Sequence, residues 1–357
     1  MKLCWLKISL VIILLVSSCL KDEPFKLKYQ GFAPKQINDD WQISTPENEQ
    51  MDRNTLELAY RLVYQDDRYV MARSLLVIRN GKLVAEAYPH DSADINQPYN
   101  IQSCTKTFTS ILAGIALMNH VLDSVNQKLK DIYPEHFTQF PERQNITLRH
   151  ALSMKTGLVF NNDEHTLELY KTDKSSVEFV LSLDKLYEPG LVFHYNDGAP
   201  QLVSAAIQKR AGKSLKDYAK EVLFEPLNIN DILWETAKDG VTFGAVSLFI
   251  KPRDMAKIGQ LLLQNGRWGD RQIIDSTWIQ EATQIQGTGN FNGASYGYYF
   301  WIFPGWGGFG AEGHGGQFIY VVPLKNLVVV YTAWPYTSGE FFDQYTELMD
   351  LIIGSCY

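Results

Sequence analysis

Apolar positions along this chain recur at two spacings, and the switches between them outline the elements. Leu56 to Tyr64 has the spacing of a helix with one buried stripe. Ser74 to Arg79 and Lys82 to Ala87 are short strand-like runs on either side of Asn80-Gly81, a dipeptide suited to a two-residue hairpin turn. Phe108 to Met118 is apolar nearly all round, which predicts a buried helix. From about Ser103 to Glu235 the period is mostly helical, with breaks at Pro134, Pro141, Gly157, Pro189, Gly212 and Pro226; Pro200 to Arg210 is one of its helices. A further helix is predicted over Pro252 to Gln264. Strand character returns at Tyr296 to Phe303, Gln317 to Val322 and Leu327 to Ala333, before an amphipathic helix from about Glu340 to Ile353. Strands, then helices, then strands and a helix imply an α+β fold: an antiparallel sheet flanked by N- and C-terminal helices, with an inserted, mostly helical subdomain. The α/β part is expected at about 50–102 and 240–357, and the helical part at about 103–239.

The N-terminus follows a different pattern. Lys2 and Lys7 flank the start of an apolar run, Ile8 to Val16, which is too short for a spanning helix of roughly 20 residues. The run ends in Val16-Ser17-Ser18-Cys19, which resembles a bacterial lipobox; cleavage before Cys19 and lipidation of its thiol are the expectation, with 1–18 as signal peptide. The alternative is an ordinary signal peptide that happens to contain a cysteine. Leu20 is not the aspartate that retains many lipoproteins at the inner membrane, and Lys21-Asp22-Glu23 resembles a surface-export signal. The protein is therefore expected in the cell envelope, at the outer membrane and facing outward, with the membrane as a partner through Cys19. Residues 19–49, polar with scattered prolines, are expected to be a tether, and the folded body to begin near Met51.

Composition narrows the function. The chain is 45% hydrophobic and 20% charged, as in a well-packed globular protein, and its formal charge is −7. Cleavage would remove two lysines and no acids, giving −9, and no long basic run exists, so a nucleic-acid partner is not expected. Only Cys104 and Cys356 would remain as thiols, too few for a disulfide framework. His165 and Glu168 lie one helical turn apart but lack a His-Glu-x-x-His pattern, and no cofactor or metal is expected.

The candidate chemistry starts at Ser103-Cys104-Thr105-Lys106, where a polar stretch meets the long apolar helix. Residues three apart share a helix face, so the Lys106 amine can reach the Ser103 oxygen, where free N–H groups and the helix dipole favour negative charge. The same Ser-x-x-Lys spacing occurs at Ser18/Lys21 and Ser182/Lys185, but only Ser103 opens a helix apolar enough to be buried. A plain helix-capping serine is the alternative. Such a site needs a second proton carrier, and Tyr195, in a short loop before the Pro200 helix, is the best placed. It also needs oxyanion donors: Gly313-His314-Gly315-Gly316-Gln317 runs directly into a strand and offers unobstructed backbone N–H groups. Tyr296, Tyr298, Tyr299, Trp301 and Trp306 either line an acyl pocket or pack the sheet.

In this order, Ser103-x-x-Lys106, Tyr195 and His314-x-Gly316 resemble the serine β-lactamase and penicillin-binding-protein superfamily, in its class C-like branch. Thr147 to Leu158 and Lys216 to Leu227 are similar to further segments of that branch, and the resemblance covers about 50–350. It implies a β-lactamase/transpeptidase-like fold and an acyl-enzyme on Ser103, with Lys106 as base, Tyr195 as proton relay and the backbone N–H groups of Ser103 and Gln317 as oxyanion hole. Lys106 would then need its pKa brought from about 10.4 to about 7.5, roughly 4 kcal/mol against the charged form. Two departures matter. The branch's Tyr-x-Asn is here Tyr195-Asn196-Asp197, so Asp197 either points away from Lys106 or keeps it charged. His314 replaces the lysine that meets a substrate carboxylate, as it does in the branch's esterases and 6-aminohexanoate-oligomer hydrolases. His314, Gly315 and Gly316 are thus expected to tune binding of a small-molecule or short-peptide substrate, an ester or amide. D-alanyl peptidase or weak β-lactamase activity, and a non-catalytic surface binding lipoprotein, are the alternatives.

Overall fold

The computed structural model describes residues 26–288, 294–334 and 342–357. Its centre is an antiparallel sheet of strands β1 (Ala72–Arg79), β2 (Lys82–Ala87), β3 (Gly287–Thr288), β4 (Ser295–Tyr296), β5 (Trp301–Phe303), β6 (Gly308–Gly313), β7 (Gln317–Val322) and β8 (Leu327–Ala333). The strand order is β2-β1-β8-β7-β6-β5-β4-β3, so the N-terminal hairpin pairs with the C-terminal strand and the inserted segment never enters the sheet's middle. Asn80 and Gly81 both have positive φ, 52° and 79°, as the tight turn between β1 and β2 requires.

The helices that matter for the site are α1 (Arg53–Gln65), α2 (Cys104–Met118), α3 (Leu148–Leu152), α4 (Asn162–Lys171), α5 (Ser176–Ser182), α6 (Gly198–Ala211), α7 (Pro252–Leu263), α8 (Ser276–Ala282) and α9 (Phe342–Gly354). Asp52 starts α1 by accepting a hydrogen bond from the Thr55 N–H at 2.7 Å. Side chains alternate across β1: Leu75 and Val77 join a core with Leu56, Val63, Leu348 and Ile352 of α1 and α9. Leu76 and Ile78 join the opposite core with Phe108 of α2 and Met255, Ile258 and Leu261 of α7. Two cores on the two faces explain why β1 and β8 are buried at every position and read as continuous apolar runs. Gly259 brings α7 close to the sheet: a Cβ there would lie 2.4 Å from Val328.

Three expectations are corrected. Tyr296 to Phe303 is not one strand. Gly297 to Phe300 loops out between β4 and β5, because Tyr298 N–H donates to the Ala282 carbonyl of α8 at 2.8 Å and Tyr299 takes a φ of 64°. Tyr299 also donates its hydroxyl to the Ala151 carbonyl and accepts from Thr107 on its own carbonyl. Residues 119–147, expected to be largely helical, hold only short 3-10 turns among the described elements. The first residues of the last predicted helix, Glu340 and Phe341, and the whole of 1–25 with Cys19 lie outside the described residues.

The third correction concerns residues 26–49, which are no tether. They lie along the free edge of β2: the Glu86 N–H donates to Phe32 O and the Leu83 N–H to Gln42 O, both at 2.9 Å, and Ile43 bridges Leu83. Phe32 and Trp41 are buried. Arg253 at the start of α7 fastens this strap, donating to both Glu86 oxygens at 2.7 and 2.9 Å, to Asp39 at 2.8 Å and to the Lys35 carbonyl at 2.7 Å. Because Glu86 is 4% exposed, loss of its cationic partner leaves a buried carboxylate unpaired. Arg253→Met is therefore expected to cost about 3–5 kcal/mol in urea unfolding. Arg61→Met, which breaks an exposed pair with Glu57, should cost no more than about 1 kcal/mol. Equal losses would show that the strap is held by its apolar anchors alone.

Candidate active site

Ser103 sits at a junction forced by three elements. Just before it, Tyr99 and Asn100 pair with Ile250 and Phe249, and Ile101 N–H donates to the Leu248 carbonyl at 2.9 Å. Gln102 then takes the left-handed region at φ 51°, a conformation that costs a residue with a side chain roughly 1–2 kcal/mol. Its N–H is held by the Asn100 side chain at 2.9 Å. On the far side, Gly313 of β6 packs so tightly that a Cβ would lie 2.4 Å from the Ile101 carbonyl oxygen. The end of the β6–β7 hairpin is thereby pressed against the turn that carries Ser103.

The capping-serine alternative fails on geometry. Ser103 precedes the first residue of α2, yet its side chain caps no backbone N–H. Instead its Oγ accepts a hydrogen bond from Lys106 Nζ at 2.7 Å. Lys106 is 1% exposed, and its ammonium also donates to the Ala245 carbonyl at 3.4 Å. The Tyr195 hydroxyl is in hydrogen-bond contact with both Ser103 and Lys106. Lys106 Nζ further lies 4.9 Å from the Tyr195 ring centroid, within cation–π reach. Tyr195 is wedged by Tyr296 and Trp301, at centroid distances of 5.6 and 5.7 Å.

Asp197 does not point away. Its Oδ1 lies 2.7 Å from Lys106 Nζ in a buried ion pair. The other oxygen accepts from Thr166 of α4 at 2.8 Å, and the Asp197 N–H donates to Asn162 at 2.9 Å. Burial pushes the Lys106 pKa down, but the charge of Asp197, with help from Tyr195, outweighs it and leaves the ammonium above its ordinary range. This reverses the direction that a resting lysine base would need. Burial likewise raises Tyr195, with Lys106 opposing only in part.

Ser103, Tyr195 and Asp197 share a cavity of about 720 Å³ with His314, Gly315, Gly316 and Gln317, and Lys106 lies beneath its floor. Its size suits a small organic ligand. His314 is exposed at the mouth, whereas Gln317 is buried and its side chain is turned away, bonded to Ala333 on β8. Gly316 has a φ of 99°, and a Cβ there would meet the Tyr345 hydroxyl at 1.9 Å. Of the aromatic candidates, Trp301 lines the cavity, while Tyr298 and Tyr299 pack away from it. Cys104, directly after Ser103, is buried with its thiol on the Gln317 carbonyl at 3.4 Å, and burial pushes its pKa far up.

These geometric features coincide with a sequence relationship. A family model described as Beta-lactamase matches residues 64–348. The chain belongs to the Beta-lactamase family. Its architecture is the β-lactamase/transpeptidase-like fold. This Beta-lactamase family chain is similar to a solved structure described as a 6-aminohexanoate-dimer hydrolase from Bacillus anthracis, with TM-score 0.73 and 20% identity over 92% of this chain and 91% of that one. It is also similar to a protein described as a β-lactamase from Bacteroides dorei DSM 17855, with TM-score 0.71 and 17% identity over 85% and 99%. A family VIII carboxylesterase follows at TM-score 0.69 and 17% identity over 87% and 98%. At these identities the likeness is one of fold. No curated protein matches the chain.

Three residues of the site were not anticipated. Thr166 and Asn162 reach Asp197 from α4, and nothing in their spacing connects them with Tyr195. Glu312 had a signal: an acid in a partly buried strand, two positions before His314. Its carboxyl lines the cavity and accepts a hydrogen bond from Tyr320. Among the described residues no basic side chain forms an ion pair with it. Burial raises its pKa to about 7, with the Tyr320 bond opposing. The fold thus prefers the protonated acid, while the unfolded chain loses that proton near its ordinary 4.5, so stability falls as pH rises through this window. Glu312→Gln should therefore gain on the order of 3 kcal/mol over the parent protein at pH 8 compared with pH 4, read from urea unfolding at both. A gain that is the same at both pH values would mean that the carboxyl is not held protonated by burial.

Proposed function

We propose that this protein is a serine hydrolase that acylates Ser103 with a small ester or amide. The observation that carries the reading is the 2.7 Å contact of Lys106 Nζ with Ser103 Oγ, with the Tyr195 hydroxyl against both, at the wall of a cavity. In the reaction, Ser103 Oγ bonds to the substrate carbonyl carbon and its proton passes to the Lys106–Tyr195 pair. That proton goes to the departing alcohol or amine as the old bond breaks, and water then releases the acid from Ser103. The backbone N–H groups of Ser103 and Gln317 are assigned to the carbonyl oxygen. The similar structures described as a 6-aminohexanoate-dimer hydrolase and a carboxylesterase support the choice of amide and ester substrates. So does His314, which replaces a permanent cation that would favour the carboxylate of a β-lactam or a D-alanyl peptide.

Cys19 is proposed as the lipid anchor of an envelope protein; among the described residues no helix is long and apolar enough to cross a membrane. Replacement of Cys19 with alanine should then move the protein from the membrane fraction to the soluble fraction.

A fluorophosphonate probe should label the purified protein, and Ser103→Ala should abolish both labelling and hydrolysis of short p-nitrophenyl esters. Penicillin turnover should be weak beside ester turnover. An unlabelled Ser103 in folded protein would favour a receptor that binds without turnover, and efficient penicillin hydrolysis would sink the substrate assignment.

The ion pair makes a separate prediction. Asp197 holds Lys106 charged, and Tyr195 is also raised, so the basic form grows in only as pH rises. The value of kcat/KM should climb into the alkaline range. Without Asp197 the burial effect on Lys106 is unopposed by that charge, so Asp197→Asn should raise the rate at pH 7 and shift the whole profile toward acid. An unchanged rate and profile would remove Asp197 from the mechanism.

A further inference from the structure

The cavity continues past Ser103 around the β6–β7 turn, and its far wall differs in chemistry from the near one. The near wall carries Ser103, Tyr195 and Asp197, whereas the far wall is formed by Glu312, Phe318, Tyr320 and Tyr345. Glu312 and Phe318 are cross-strand partners, so their side chains leave the sheet on the same face. Phe318 and Tyr320 stack at 4.1 Å with rings 10° from parallel, and Tyr345 meets Phe318 edge-on at 5.3 Å. The turn between the two walls is Gly313-His314-Gly315-Gly316, and the absent side chain at Gly316 leaves room beside Tyr345.

Glu312 is half-buried and opens onto the cavity, and a carboxyl group so placed without a basic ion-pair partner is costly, in line with its raised pKa. Aromatic panels beside a carboxylate are, however, a favourable environment for an organic cation, which gains from the ring faces and neutralises the acid. We propose that Glu312, with Phe318, Tyr320 and Tyr345, forms a subsite for an alkylammonium group, so that the preferred substrates are esters or amides bearing a positive charge. This rests on the serine-hydrolase reading above. It also inverts the charge preference of a site built around a lysine for substrate carboxylates: here the exposed group is His314 and the sheltered one is an acid. Tyr320 on β7 bonds Glu312 and Tyr345 on α9 shares its wall of the cavity, while Tyr296 on β4 and Cys104 on α2 feel its charge from the other face of the sheet. Burial raises all four, so they stay neutral near pH 7, and His314 lies two residues away on the same turn.

The test compares p-nitrophenyl esters of hexanoate and 6-(trimethylammonio)hexanoate, whose charge does not change with pH. At pH 8.5 the cationic ester should have a kcat/KM about tenfold higher. That ratio should fall toward one at pH 5.5 in the parent protein, and toward one at both pH values in Glu312→Gln. A parent ratio near one at pH 8.5, or a high ratio that survives both the substitution and acid, would overturn the subsite while leaving the hydrolase reading intact. Isothermal titration with hexyltrimethylammonium separates the two ideas further. Binding that Glu312→Gln abolishes, in protein that hydrolyses neither ester, would uphold the subsite and remove the hydrolase reading. Neither binding nor hydrolysis would overturn both.

Discussion

The ammonium of Lys106, buried at the centre of the molecule, is the charge around which the rest of the site is arranged. An isolated charge at 1% exposure would be strongly disfavoured, so the fold must bring it an anion and further acceptors. Asp197 supplies the anion from the start of α6, Ser103 and Ala245 supply oxygens, and Tyr195 supplies both a hydroxyl and a ring face. Asp197 is itself held by Thr166 and Asn162 of α4. The pair can therefore form only when the helical insertion is seated on the helix that carries Ser103.

That arrangement carries a chemical consequence. A lysine used as a base in its resting state should sit in an environment that lowers its pKa, and burial alone would do so. Asp197 turns the balance the other way. The site is thereby poised as a cation beside a serine, which suits stabilisation of developing negative charge more than proton abstraction at neutral pH. In the proposed reaction, proton abstraction then depends on a minor, more basic state of the Lys106–Tyr195 pair.

Local strain and a costly acid also lie beside the site. Gln102 adopts a left-handed conformation immediately before Ser103, and Glu312 keeps a half-buried carboxyl group on the cavity, while Gly316 turns the adjoining hairpin at a positive φ that glycine adopts freely. The first two are unfavourable locally and are tolerated because two packed cores and a strapped sheet edge supply stability elsewhere. Away from the site the exceptions are mostly turn residues with ordinary roles, such as Asn80 in the β1–β2 hairpin.

Much of this was legible in the chain itself. The apolar runs of β1, β7 and β8, the Asn80-Gly81 turn and the apolar helix after Ser103 are local patterns, and runs without alternation report strands buried on both faces. Ser103 and Lys106 are three residues apart on one helix, so their meeting needed nothing beyond helix geometry. The strap at 26–49 was misread because its polarity resembles that of a linker, and its hold depends on Arg253, more than two hundred residues away. Tyr296 to Phe303 was misread because α8 offers the Ala282 carbonyl and draws the chain out of the sheet. Composition at Asp197 could state the question, whether an acid faces the lysine, but not the answer, because the direction of a side chain depends on the packing of α4 and α6. Local pattern determined most of the elements and the serine–lysine pair; only the tertiary structure decided the charge state of that pair and placed Glu312 on its cavity, since both depend on groups far apart in sequence being packed side by side.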